Sequence, residues 1–208
     1  MKYKLTDETM TTNSGVLLHR IECVECFADV KAGDIGGWIE REENLSKYGD
    51  CWVSDNAEVF GNARVSGNAR VSGNALVYRD AEVFGNSRVS GNAHVSGNAL
   101  VSGNARVYGD SQLSGNARVS GGAEVYGEAQ VYGDAIIGNS NDYIVFKNNW
   151  SSGRYFTWTR SNDMWKVGCF YGTCKELIEK AYNDSNLSGD CYKAYVELVD
   201  KLKELQKQ

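Results

Sequence analysis

From Gly49 to Gly138 the chain divides into fifteen consecutive hexads with no insertion, running from GDCWVS through repeated GNARVS to GDAIIG. The fifth place is Val in thirteen of them, Leu113 in one and Ile137 in another, and the third place is always Ala, Ser or Cys. Positions three to six alternate small, variable, aliphatic, variable. In a strand, that alternation turns the small and aliphatic residues to one face and the variable ones to the other. The Gly-Asn pair that follows suits a corner, because both residues tolerate positive φ. A strand of four residues with a corner of two cannot fold back on its neighbour as a hairpin. It can coil, three strands to a turn, each strand stacking on the one eighteen residues later. An amphipathic helix is excluded: it needs a period near 3.6, and glycine in every unit would cost it about 1 kcal/mol each. Disordered Gly-rich sequence lacks a strict aliphatic lattice.

The repeat therefore predicts a hexapeptide parallel β-helix. The ninety residues of the array make about five coils, a prism about 24 Å long at roughly 4.8 Å per layer. An aliphatic residue with a small one two places before it resembles the left-handed β-helix of the bacterial hexapeptide-transferase superfamily. The left hand is what that resemblance implies, since ordinary parallel crossovers are right-handed. The expected class is mainly β: an N-terminal β cap over residues 1–48, the β-helix over 49–138, and a small α+β domain over 139–208.

In the cap, "GVLLHRIECVECFADV" reads as one or two strands, and Gly36 and Gly37 suit a tight bend that seats Trp38 over the open core. Such a cap is needed because bare strand edges invite aggregation. After Asn139, "YIVFK", "RYFTWT" and "MWKVGCF" read as an antiparallel meander. Thr173 and Glu176 form a capping box for a helix that buries Leu177, Ile178 and Ala181. A last helix shows Tyr195, Leu198, Val199, Leu202 and Leu205 at helical spacing. Trp150, Trp158 and Trp165 read as core.

The eighteen-residue turn sorts the outward residues by face. One face stacks Arg70, Arg88 and Arg106, with Tyr108 beside them. Three guanidinium groups about 4.8 Å apart call for an anionic partner or for salt screening. A second face carries Glu58, Leu76, His94, Gln112 and Gln130, flanked by Phe60 and Tyr78. Phe60, Leu76 and Tyr78 form an apolar patch of the kind that marks an interface, unless the terminal segments cover it. The corner asparagines should stack into amide ladders, a structural device.

The net charge of −5 argues against general nucleic-acid binding. No signal-peptide or membrane run opens the chain, so a cytoplasmic protein is expected. Its six cysteines should then stay reduced. A zinc site built from Cys23, Cys26, Cys169 and Cys174 is the weaker alternative to thiols packed as small core residues. No cofactor is expected.

"GDIGGWIEREENLS", the hexads and "VGCFYGTCKELIEK" together resemble a group of uncharacterised phage and prophage proteins, often labelled transferases because of their hexapeptides. That resemblance implies bacterial or phage origin and action in the cytoplasm of an infected bacterial host, and it supplies no activity. Hexapeptide acyltransferases use a His base near a loop that interrupts the coils, and only His19 and His94 exist here. His94 lies in an unbroken array, with no loop to shape a pocket around it. The β-helical carbonic anhydrases need three His ligands. The expectation is accordingly a non-catalytic binding or scaffold protein. It would self-associate, as a trimer, and present Arg70, Arg88, Arg106, Tyr108, Phe60, Leu76 and Tyr78 to a host protein complex or an anionic nucleotide. The alternatives are an acyltransferase with His94 as base and a structural spacer of a virion.

Overall fold

Each hexad contributes one two-residue strand, from Trp52–Val53 (β4) to Ile136–Ile137 (β18), and each strand pairs in parallel with the strand one turn away. The structure, a computed structural model, describes residues 2–206. It divides into two units, Met1–Asp142 and Tyr143–Gln208.

In the first unit the fifteen aliphatic residues of the hexads are all buried, and the small residues two places before them are buried with them. Val59, Val77, Val95, Leu113 and Val131 lie in register down one wall. Burial of each stabilises the coil by roughly 2 kcal/mol. Between turns the backbone bonds run with little variation, as where Leu76 N donates to Ala93 O at 2.9 Å and Asn74 N to Gly91 O at 2.8 Å. The amide ladders form as expected. Asn74 Nδ2 donates to Asn92 Oδ1 at 3.1 Å, and Asn92 Nδ2 to Asp110 Oδ1 at 2.8 Å. An aspartate closes that run because it accepts and has nothing to donate.

The corners need positive φ. Gly85 takes φ +73, and a Cβ there would stand 2.9 Å from Gly103 N. Two hexads begin without glycine, and Asp55 (φ 57) and Arg79 (φ 62) take up the same conformation. Asp tolerates it; Arg79 holds it at some cost in strain.

The β-helix fold is present, as a parallel β-solenoid of mainly β structure, but it has about six turns where the hexads alone predict five. The extra turn comes from the cap. Strand β3 (Ile35–Ile39) pairs in parallel with the second hexad, Trp38 opposite Glu58 and Ile39 opposite Val59, and Leu45 bridges Val65. Gly36 and Gly37 are buried within β3 and make no bend. A Cβ on Gly36 would come within 2.5 Å of Ile21 Cγ1, and one on Gly37 within 2.7 Å of Ala57 O. They are glycines because two layers meet there. Trp38 faces outward beneath Arg20, whose guanidinium carbon lies 4.7 Å from the ring centroid.

Two antiparallel strands, β1 (Tyr3–Thr11) and β2 (Leu17–Cys23), extend the same sheet beyond β3. Nothing in the hexad pattern announces β1. It is held by Tyr3, whose hydroxyl donates to Leu45 O at 2.6 Å, and by Lys2, whose Nζ donates to Gly49 O and Cys51 O.

The second unit is a four-stranded meander, β19 (Tyr143–Lys147), β20 (Tyr155–Thr159), β21 (Met164–Val167) and β22 (Phe170–Gly172), followed by α1 (Cys174–Asp184) and α2 (Asn186–Leu205). The expected third strand is split at Gly168, which takes φ +53. The Thr173 capping box forms as read. On α2 the buried stripe is Gly189, Tyr192, Val196 and Val199, while Leu198 and Leu205 are exposed. Phe156 decides this by packing edge-on against Tyr192, with ring centroids 4.6 Å apart. Trp158 and Trp165 are core, and Trp150 is 80% exposed.

Candidate functional site

The apolar patch on the second face has a roof. The turn between β1 and β2, Thr12 to Val16, projects past the end of β3 and is braced by Thr12, whose hydroxyl accepts from Val16 N at 3.0 Å. Together with Met10 and Thr11 it overhangs the solenoid wall and encloses an open cleft of about 520 Å³. The floor comes from three successive rungs, Glu58, Leu76 and His94, which lie in register one above another. Phe60 and Tyr78 form one side, their rings stacked at 5.2 Å and 10°. Arg79 stands at the corner, its guanidinium carbon 5.7 Å from the Tyr78 centroid.

His94 therefore lies in a cleft, contrary to the expectation drawn from the unbroken array. The wall that the hexads do not supply arrives from the amino-terminal hairpin. Phe60, Leu76 and Tyr78 are half-buried for the same reason. Glu58, Arg79 and residues 10–14 also line the cleft, and sequence reasoning does not single them out. Their only local signal is a turn-forming "TTNSG" and one carboxylate among the outward positions of that face.

Glu58 is electrostatically unusual. Burial pushes its carboxyl above the ordinary carboxylate range, and neither a cation nor a hydrogen bond opposes that shift. His19, by contrast, is outside the cleft, in β2, with Nδ1 3.4 Å from Thr6 O.

The arginine ladder forms in register. Its ends are answered from within the unit: Arg70 pairs with Asp29, and Arg106 lies 3.3 Å from Glu124. Arg88 between them has no ion pair among the described residues. Tyr108 stacks on Tyr126 at 5.4 Å and donates to Glu124 Oε2 at 3.4 Å, and burial first, then that carboxylate, raises its phenol.

The cysteines of the conceivable zinc site are divided between the units. Cys23 and Cys26 belong to the first and Cys169 and Cys174 to the second. Among the described residues no three His, Cys, Asp or Glu side chains come together as a metal site. Burial raises the thiols of Cys23 and Cys51, which makes them poor nucleophiles. Among the described residues, no helix is long and apolar enough to cross a membrane.

The hexads match the YdcK Beta solenoid repeat family at residues 63–79, 69–83, 93–109, 99–113 and 111–127. Over these residues the chain is similar to that family, and its parallel β-solenoid carries the hexapeptide repeat. That match fits the left-handed β-helix group inferred from the motif. Uncharacterized acetyltransferase YdcK of Escherichia coli (strain K12) is 43% identical over 68 residues, 29% of this chain and 21% of the relative. The chain thus spans about a fifth of the length of the curated relative it matches. This likeness overturns the expectation of a protein without enzymatic activity, because the similar protein carries an acetyltransferase name. The structural ground for that expectation, a histidine with no pocket, has also gone. Neither comparison bears on a phage origin or on host defence.

Proposed function

We propose that the chain is an acyltransferase of the hexapeptide class, with His94 as general base in the cleft beneath the amino-terminal hairpin. The observation that carries this reading is the placement of His94 on the floor of a cavity of about 520 Å³, within the usual range of roughly 300–1,000 Å³ for small-molecule sites. The acetyltransferase name of the similar protein supports it.

In the reaction, an acceptor hydroxyl or amine attacks the carbonyl carbon of an acyl thioester. His94 takes the proton as the new C–O or C–N bond forms. The C–S bond breaks, and the departing thiolate receives the proton, so the imidazole returns to its starting state. Leu76, Phe60 and Tyr78 offer an apolar surface that excludes water from the thioester.

Radiolabelled acetyl-CoA incubated with the protein and a bacterial small-molecule extract tests the reading. Label should pass to an acceptor, and His94→Ala should slow the transfer by about 100-fold or more. Transfer at an unchanged rate in His94→Ala would remove His94 as base. No transfer by the wild-type protein would end the acyl-transfer reading.

A further inference from the structure

Among the described residues, Glu58 is the one carboxylate lining the cleft, and it lies without a partner there. Four other carboxylates of the first unit are matched: Glu42 by Lys47, Glu124 by Arg106, Asp29 by Arg70, and Glu40 by the backbone N–H of Gly61. Glu58 faces a half-enclosed space instead, between the outward Trp38 one rung before and Leu76 one rung after. Arg79 shares the cleft but lies against the Tyr78 ring and leaves the Glu58 carboxyl unaffected. A desolvated carboxylate beside stacked aromatic rings attracts a cation twice over, through its charge and through the π faces.

We propose that Glu58 anchors a positively charged group of the acyl acceptor, so that the substrate is a small amine-bearing molecule reaching two rungs along the floor to His94. Two rungs place the anchored charge roughly 9–10 Å from the reacting hydroxyl or second amine. That spacing selects an extended acceptor charged at one end over a compact or neutral one. An entering ammonium supplies the counter-charge that the fold withholds from Glu58. The part played by His94 rests on the acyl-transfer reading, whereas capture of a cation by Glu58 does not.

Hexamethylenediamine, with neutral hexanediol as its isostere, tests the proposal by titration into isotope-labelled protein followed by amide NMR. The diamine should shift the signals of Glu58, Leu76 and His94 and bind at least about tenfold more tightly than the diol. Glu58→Gln preserves shape and should weaken the diamine by about tenfold while leaving the diol unchanged. The remaining spectrum of the variant reports that the coil is intact. Equal binding of diamine and diol, equal binding by Glu58→Gln, or no shift at the cleft overturns the proposal. Glu58-dependent diamine binding without acetyl transfer from acetyl-CoA keeps the cation site and removes the acyl-transfer reading.

Discussion

Lys2 Nζ donates to the carbonyl oxygen of Cys51 at 2.6 Å, tying the start of the first strand to the first hexad across 49 residues. The same ammonium lies 4.2 Å from the centroid of Phe27 and donates to Gly49 O at 2.9 Å. Tyr3 beside it donates to Leu45 O at 2.6 Å, and Glu42 O lies 2.9 Å from the same hydroxyl. These two residues close the amino-terminal end of the solenoid with hydrogen bonds where another turn would otherwise add strand.

Lys2→Met keeps the apolar stem and removes the donors, so the loss should be about 1–2 kcal/mol in urea unfolding. Tyr3 adds a pH dependence. Burial raises its phenol above the ordinary value of 10.0. The folded state therefore keeps a proton that the unfolded chain releases, and the contribution of Tyr3 is complete below about pH 10 and falls as pH rises above it. Tyr3→Phe should be less stable at neutral pH and lose less on moving to alkaline buffer. Parallel alkaline slopes for the two proteins would contradict this.

Stacked glycines divide into two kinds. Gly85 and Gly127 both have positive φ, but a Cβ on Gly85 meets Gly103 N at 2.9 Å, and one on Gly127 meets nothing within 4 Å. Gly127→Ala should cost about 1 kcal/mol from backbone conformation alone. Gly85→Ala should cost more, about 2–3 kcal/mol, because a whole rung must shift. Thermal unfolding of the two variants should rank them in that order.

Ser87 and Ser111 both occupy the small inward position and are fully buried. Ser87 Oγ donates to Phe84 O at 2.8 Å, whereas Ser111 Oγ has no partner among the described residues. Ser111→Ala should therefore stabilise the coil by about 1 kcal/mol, and Ser87→Ala should leave it unchanged or weaken it. Equal effects would mean that the hydroxyl of Ser111 is satisfied in solution.

Leu76 separates Glu58 from His94 on the cleft floor. Outward positions of this ladder already accept Glu, His and Gln, so Leu76→Arg should fold with a stability within about 0.5 kcal/mol of the wild type. The larger cationic side chain should block the cleft and abolish both diamine binding and acetyl transfer. Retained transfer in a folded Leu76→Arg would move the site elsewhere.

The ladder of Glu58, Leu76 and His94 is legible in the amino-acid sequence. An eighteen-residue turn dictates which side chains share a face, and the backbone bonds of each rung repeat those of the last. The buried lattice of Val95 and its equivalents, the corner amides and the Thr173 cap are legible for the same reason: each rests on neighbours a fixed distance along the chain. The exposed Leu198 and Leu205 mark where local reading stops. Their spacing is helical, but α2 has more apolar residues than one stripe can bury, and the core cluster around Phe156 took in Tyr192, Val196 and Val199.

The repeat alone thus determined a parallel solenoid, its buried residues and the faces on which His94 and the arginines stand, because periodicity is a local property. Only the tertiary structure decided that Met10 to Ser14 roof the cleft, that Gly36 and Gly37 lie in an added turn, and that Asp29 meets Arg70. Each of these joins segments about twenty to eighty residues apart through hydrogen bonds and packing that leave no periodic trace in the chain.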